Sequence, residues 1–268
     1  MKLFDIQKRI DAAYNAEPMK EPRDYIGASI IGNKCPAYLA LSLRGAPENR
    51  IDPRIKRVFQ DGHRIETEVV KDLRKAGFKV YDVDPMTGKQ WAYHLAGGHI
   101  AAHCDGHVEF DGEDCILEIK SVNQNGFDKL TTSGVGRVYP GYYDQCQMMM
   151  GMSGFKKTLF VARCKNDATY HSEIVEFDAL HFEGLIHRAE VAMDHGVTRI
   201  SKDPQKWPCI SCFKSEACWN GTTIKKCSMC AHAEPDPNNG WWTCSKFKME
   251  NVKKACDDFE PWRPREKE

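Results

Sequence analysis

Asp105, Glu118 and Lys120 stand at a spacing that can bring two carboxylates and an amine to one spot. Side chains alternate faces along a strand, so Glu118 and Lys120 of Glu118-Ile119-Lys120 point the same way. Asp105 closes the preceding run. The turn signal Asp111-Gly112-Glu113 folds the two runs into a hairpin that lays Asp105 alongside. Carboxylates gathered this way offer hard oxygen ligands to a divalent cation. A cation held there polarises a phosphodiester and lowers the pKa of a bound water. Lys120 can orient the nucleophile or stabilise developing phosphate charge.

Twelve cysteines carry a second chemistry. No apolar run approaches the ~18 residues of a membrane span. The start, MKLFDIQKRI, carries charge where a signal peptide needs an apolar stretch. These features predict a cytoplasmic chain with no membrane partner, where thiols bind metals or catalyse rather than cross-link. Cys104, Cys115, Cys146 and Cys164 are scattered among apolar residues and read as buried thiols. Seven crowd the end: Cys209, Cys212, Cys218, Cys227, Cys230, Cys244 and Cys256. Cys227-x2-Cys230 with Cys244 and Cys256 suits tetrahedral zinc, and His232 can substitute for one thiolate. A rival grouping, Cys209-x2-Cys212 with Cys227-x2-Cys230, is itself a plausible zinc ribbon.

The 268 residues suffice for one large domain or one domain plus a small appendage. With 41% hydrophobic and 28% charged residues, the composition is that of a globular protein and excludes wholesale disorder. Net charge is zero but unevenly spread: +4 over residues 1–60, −6 over 61–200 and +2 over 201–268. An acidic middle between basic ends suits a cation site flanked by phosphate-attracting surface.

The elements that must position these residues follow from periodicity. Leu3, Ile6, Ile10 and Tyr14 predict an amphipathic first helix. Ser29 is a candidate cap for a second helix carrying Cys35, and Pro53 to Ala76 forms a third. Short strands are predicted over Phe78–Val83, Trp91–Leu95, Ile100–Cys104, His107–Phe110 and Ile116–Val122. A Gly-, Thr- and Ser-rich loop, mobile without substrate, is expected from Asn123 to Pro140. A helix over Tyr142–Met152, strands over Thr158–Arg163 and Ile174–Phe177, and a helix over Asp178–His195 complete the domain. From Lys202 the composition shifts to Pro, Trp and Cys. Six tail lysines beside Trp219, Trp241 and Trp242 can stack on single-stranded nucleic acid, or the tryptophans pack a small core.

The pattern G-H-x5-D-G-x2-E-F followed by C-I-L-E-I-K-S resembles the core of the PD-(D/E)xK nuclease superfamily, with Asp105 and Glu118-Ile119-Lys120 as its signature. Gly62-His63-Arg64-Ile65-Glu66 looks like the family's helix-borne motif, and Tyr142-Tyr143-Asp144-Gln145-Cys146-Gln147 resembles the Q-x-Q helix of lambda-type phage exonucleases. The likeness covers about residues 25–218 and is closest to RecB-like exonucleases, both phage (lambda-type or YqaJ-like) and CRISPR-associated. It departs in having Glu66 where many relatives have His, and Q-x-Q in place of Gln–Tyr.

The resemblance implies an α/β fold, a mixed central sheet flanked by helices, with a nuclease domain over residues 1–220 and a cysteine-rich zinc tail over 221–268. It implies Mg or Mn held by Asp105, Glu118 and the Ile119 carbonyl, with Glu66, Gln145 and Tyr143 in support. Cys35, Cys209, Cys212 and Cys218 would form a 4Fe-4S staple. The expected activity is metal-dependent DNA hydrolysis, from an end or on a single strand, in phage recombination. A CRISPR-adaptation nuclease with a protein partner and a non-catalytic nucleic-acid-binding metalloprotein are the alternatives.

Overall fold

The computed structural model describes residues 5–267. Leu3, grouped with the first helix by its spacing, lies outside them. The helices are α1 (Ile6–Ala16), α2 (Pro36–Leu43), α3 (Pro53–Lys75), α4 (Gln124–Ser133), α5 (Val135–Val138), α6 (Pro140–Ser153) and α7 (Ala179–Met193). The strands are β1 (Ile26–Gly27), β2 (Val80–Tyr81), β3 (Ala92–Leu95), β4 (Ile100–His103), β5 (Gly106–Phe110), β6 (Glu113–Val122), β7 (Lys157–Cys164), β8 (Tyr170–Glu176), β9 (Ala233–Asp236) and β10 (Trp241–Cys244). The architecture is a mixed α/β fold with helices flanking a five-stranded sheet ordered β2-β5-β6-β7-β8. Beside it lie a three-stranded sheet, β1-β4-β3, and the β9–β10 hairpin.

The β5–β6 hairpin forms as its turn residues dictate, with Gly106 opposite Leu117 and Phe110 opposite Glu113. Strands β6 and β7 are parallel, Glu118 lying opposite Phe160. A parallel pair needs a long crossover, and α4 to α6 supply it. Strand β6 is buried on both faces. Leu117 and Ile119 pack with Val69 and Val70 of α3, while Ile116 packs with Met148, Met149 and Met150 of α6. Glu118 shares the face of Ile116 by alternation.

Two predicted elements differ. Residues 123–140 are helical rather than a mobile loop. The Asn123 Oδ1 caps α4 by accepting from Gly126 N at 2.9 Å, and Phe127, Leu130 and Val135 are buried. That burial outweighs the helix-weakening Gly, Thr and Ser. Ser29 caps no helix; it lies in the single turn Ala28–Ile30. The next helix begins only after Cys35, because Pro36 favours the first helical position.

The tail shares the main core. Met229, Cys230, Ala233, Trp242 and Trp262 belong to the same buried cluster as α2, β4 and α6. Arg44, 2% exposed, donates to the carbonyls of Ser228, Cys230 and Ala233 at 2.8, 3.2 and 3.1 Å. Its guanidinium lies 5.0 Å from the Trp242 ring centroid and 4.4 Å from that of Trp262. The hairpin tip also meets Gly97 so closely that a Cβ on Gly97 would fall 2.2 Å from Gly240 N. Trp242 and Trp219 are thus engaged in packing: Trp242 is buried, and Trp219 lies under the Arg199 guanidinium at 4.3 Å.

Candidate active site

Three elements bring four charged groups together. The bend after β4 presents Asp105, β6 presents Glu118 and Lys120, and α3 presents Glu66. Asp105 Oδ2 accepts from Ile119 N at 2.7 Å, which locks it against the middle of Glu118-Ile119-Lys120. Glu118 is fully buried. Neither of its carboxylate oxygens has a hydrogen-bond partner; only the ion pair of Oε1 with the Lys120 ammonium offsets that burial. Glu66 stands against Asp105 and interacts with Lys120, and His63 Nδ1 lies 3.5 Å from Glu66 Oε2.

The electrostatics follow from crowding. Burial, and then the charge of Asp105, push the Glu66 carboxyl up to about 7. Burial pushes Glu118 up to about 8 against the opposing pull of Lys120. Burial alone would lower Lys120, but Glu118 and Asp105 outweigh it and raise its pKa. Three carboxyls face one ammonium, so full ionisation leaves an excess of two negative charges, the complement of a divalent cation. The unpartnered Oε2 of Glu118 fits that cation, because a buried acceptor without a partner is costly unless something binds it. Among the described residues, however, no group of three or more His, Cys, Asp or Glu side chains is arranged to hold a metal ion as it stands.

The raised Glu118 pKa has a consequence for metal-free protein. A carboxyl whose folded pKa exceeds its unfolded value contributes stability that is fully present below about pH 4.5 and is lost as pH rises through about 8. In EDTA, stability should therefore fall between pH 5 and pH 8, and Glu118→Gln should make that fall shallower. Urea titrations at several pH values read the slope; parallel curves for the two proteins would refute the burial effect.

Helix α6 divides its predicted residues. Lys120 Nζ lies 5.0 Å from the ring centroid of Tyr142, not Tyr143. Tyr143 instead meets His181 of α7 edge-on at 5.1 Å. Gln145 is buried. Gln147 is a structural clamp, donating to Glu176 O at 2.8 Å and accepting from Asp178 N at 2.9 Å. Cys146, four residues after Tyr142, is fully buried beside Glu118, and burial holds its thiol protonated. Cys104 is likewise pushed up to about 12 by burial, so neither thiol is a ready nucleophile or ligand. The helical spacing of Tyr142 and Cys146 was the available signal for this face.

The late cysteines gather in two places. Cys35, at the N-terminus of α2, is within electrostatic reach of Cys209, Cys212 and Cys218. Lys214 N donates to Cys212 Sγ at 3.4 Å. Cys227, Cys230, Cys244 and Cys256 line one cavity of about 20 Å³. His232 lines it too, but its Nε2 lies 3.1 Å from Glu260 Oε1.

No protein-family model matches the sequence, and no curated protein matches it. Among solved structures the chain is similar to an alkaline exonuclease, LHK-Exo, from Laribacter hongkongensis, at 20% identity and a TM-score of 0.47, over 69% of this chain and 90% of that one. It is similar to a phage-related exonuclease from Haemophilus somnus 129PT at 12% identity and a TM-score of 0.42, over 67% and 94% of the chains. SSO0001 is similar at 12% identity and a TM-score of 0.41, over 81% and 95%. No helix among the described residues is long and apolar enough to cross a membrane.

Proposed function

We propose that the chain is a divalent-metal-dependent DNA exonuclease whose centre is Asp105, Glu118 and Lys120. The observation that carries this reading is Glu118, fully buried on a strand with Oε1 on the Lys120 ammonium, Oε2 unpartnered, and two further carboxyls beside it. Asp105, Glu118 and the Ile119 carbonyl would hold Mg or Mn. Bound there, the ion would supply Lewis acidity to the scissile phosphate and acidify water. The chain's own residues do the rest. The Ile119 N–H keeps Asp105 oriented, and Lys120 keeps its proton on Nζ to meet phosphate charge. Tyr142 walls the site beside Lys120. Glu66, poised near neutrality by burial and Asp105, can accept a proton from the attacking water. Gln145 and Tyr143 support this site through the packing of α6. The deciding assay is release of nucleotides from linear DNA in Mg or Mn, with EDTA and Asp105→Ala as controls. Undiminished release in EDTA or in Asp105→Ala would refute the reading.

The two cysteine sets belong to the same proposal. Cys35, Cys209, Cys212 and Cys218 would hold a 4Fe-4S cluster, joining the start of α2 to the chain after α7. The N–H of Lys214 on Cys212 Sγ is the kind of outer contact that tunes a thiolate ligand. Cys227, Cys230, Cys244 and Cys256, which line one cavity, would hold zinc as four thiolates. Metal binding would draw the thiols in, as it does where ligands are not preassembled. Anaerobic protein should then contain about four iron and about one zinc per chain. Cys35→Ala should lose iron and keep zinc, and Cys244→Ala should do the reverse. Joint loss of both metals from either variant would contradict the partition.

A further inference from the structure

The tryptophan that solvent reaches is not among those flanked by the tail lysines. Trp207 is 82% exposed, and Ile210 (63%) and Phe213 (40%) follow it on the same short segment. Three large apolar side chains so close together and so exposed are unusual on a soluble surface, and such patches mark binding sites. The segment is held in place. Ile210 N donates to Lys206 O at 3.1 Å and Cys212 N to Cys209 O at 3.0 Å. From the chain between α2 and α3, Asn49 donates its backbone N–H to Phe213 O at 2.6 Å and its Nδ2 to Cys212 O at 3.1 Å. The aromatic groups therefore stand on an anchored turn, so ordering them on binding costs little.

The charges around the patch select the occupant. Lys202 and Lys206 precede Trp207, and Lys34 adjoins Cys35, which faces Cys209 and Cys212. None of these three lysines makes an ion pair among the described residues. The neighbouring acids are engaged: Glu48 lies 3.7 Å from Lys214, Asp203 accepts from Gln205 N at 2.8 Å, and Glu216 accepts from Asn220 at 2.7 Å. Free cations beside exposed rings complement a polyanion with flat apolar bases, which is a single nucleic-acid strand.

One stretch of chain links the patch to the helix beside the site. A Cβ on Gly32 would fall 3.0 Å from Gly141 Cα, at the start of the helix bearing Tyr142. Cys35, three residues further on, is at most ~11 Å away along the chain and faces the turn that carries Ile210.

We infer that Trp207, with Phe213 and the lysines 34, 202 and 206, forms a stacking platform for unpaired bases of a single-stranded DNA end. The inference rests on the nuclease reading and names the form of its substrate. Binding is measured in EDTA, using a duplex with a ten-thymidine overhang and the same duplex with abasic overhang residues. Wild type should bind the thymidine overhang about tenfold more tightly than the abasic one. Trp207→Ala should lose that tenfold on thymidine and show no further loss on the abasic strand, while Trp207→Phe retains the discrimination. Thermal unfolding of Trp207→Ala should match wild type, since the side chain is exposed. Equal affinity of wild type for thymidine and abasic overhangs, or full discrimination in Trp207→Ala, would overturn the inference; in the latter case the patch would be left to a protein contact. If wild type degrades DNA in Mg yet discriminates through Trp207 not at all, only this inference falls. If wild type neither degrades nor binds DNA, the nuclease reading falls with it.

Discussion

Glu118→Gln should lose DNA hydrolysis by about 10³-fold or more, and Lys120→Ala by about 10²–10³-fold, with folding retained in both. Glutamine keeps the volume of Glu118 and removes the charge, so the loss reports the missing carboxylate and not a cavity. Lys120 is the cation nearest that carboxylate, and its ammonium has no substitute within the site. Because Glu118 is fully buried, no neighbouring carboxylate can swing into its place through solvent. Single-turnover rates under saturating metal separate chemistry from binding. Far-ultraviolet circular dichroism checks the fold. A Glu118→Gln protein retaining a tenth of wild-type activity would remove the residue from the centre.

Arg44→Met should destabilise the protein by about 2–4 kcal/mol, the cost of leaving buried carbonyls without their charged donor. Methionine fills much of the space but takes the guanidinium donor from the carbonyls of Ser228 and Ala233, while Cys230 O keeps the Ala233 N–H at 3.1 Å. Each buried orphan costs about 1–3 kcal/mol, and the cation–π contacts with Trp242 and Trp262 go with it. Arg44 is the C-terminal cap residue of α2, whose N-terminal cap residue is Cys35. Eight helical residues, about 12 Å of rise, therefore run from Cys35 to the residue that holds the tail's carbonyls. Unfolding in urea should become less stable as a whole, with the tail and the sheet melting together. A loss below about 1 kcal/mol, or a tail that unfolds separately in wild type, would contradict this coupling.

Local chemistry made part of this legible in the sequence. Alternation along β6 places Glu118 and Lys120 on one face whatever surrounds them, and the Asp111-Gly112 turn returns Asp105 to the same strand. Pro53 and Asp52 start α3, and Asp178 caps α7 by accepting from His181 N at 3.0 Å. These are properties of a few adjacent residues, so a linear reading reaches them.

Tertiary structure decided what depends on partners distant in sequence. Residues 123–140 carry the local composition of a loop, yet burying Phe127, Leu130 and Val135 makes them helical. Tyr142 and Tyr143 are neighbours of equal chemistry, and only the rotation of α6 against β6 turns the first toward Lys120 and the second toward His181. Spacing alone allows more than one grouping of the late cysteines. Four of them, Cys227, Cys230, Cys244 and Cys256, line one cavity only because the tail folds back on itself. Which tryptophans pack is likewise decided by Arg44 and Arg199, which meet rings 20 to 218 positions away, from Arg199–Trp219 to Arg44–Trp262. Burial is a property of the folded surface, and a sequence specifies it only through contacts that the whole fold must first assemble.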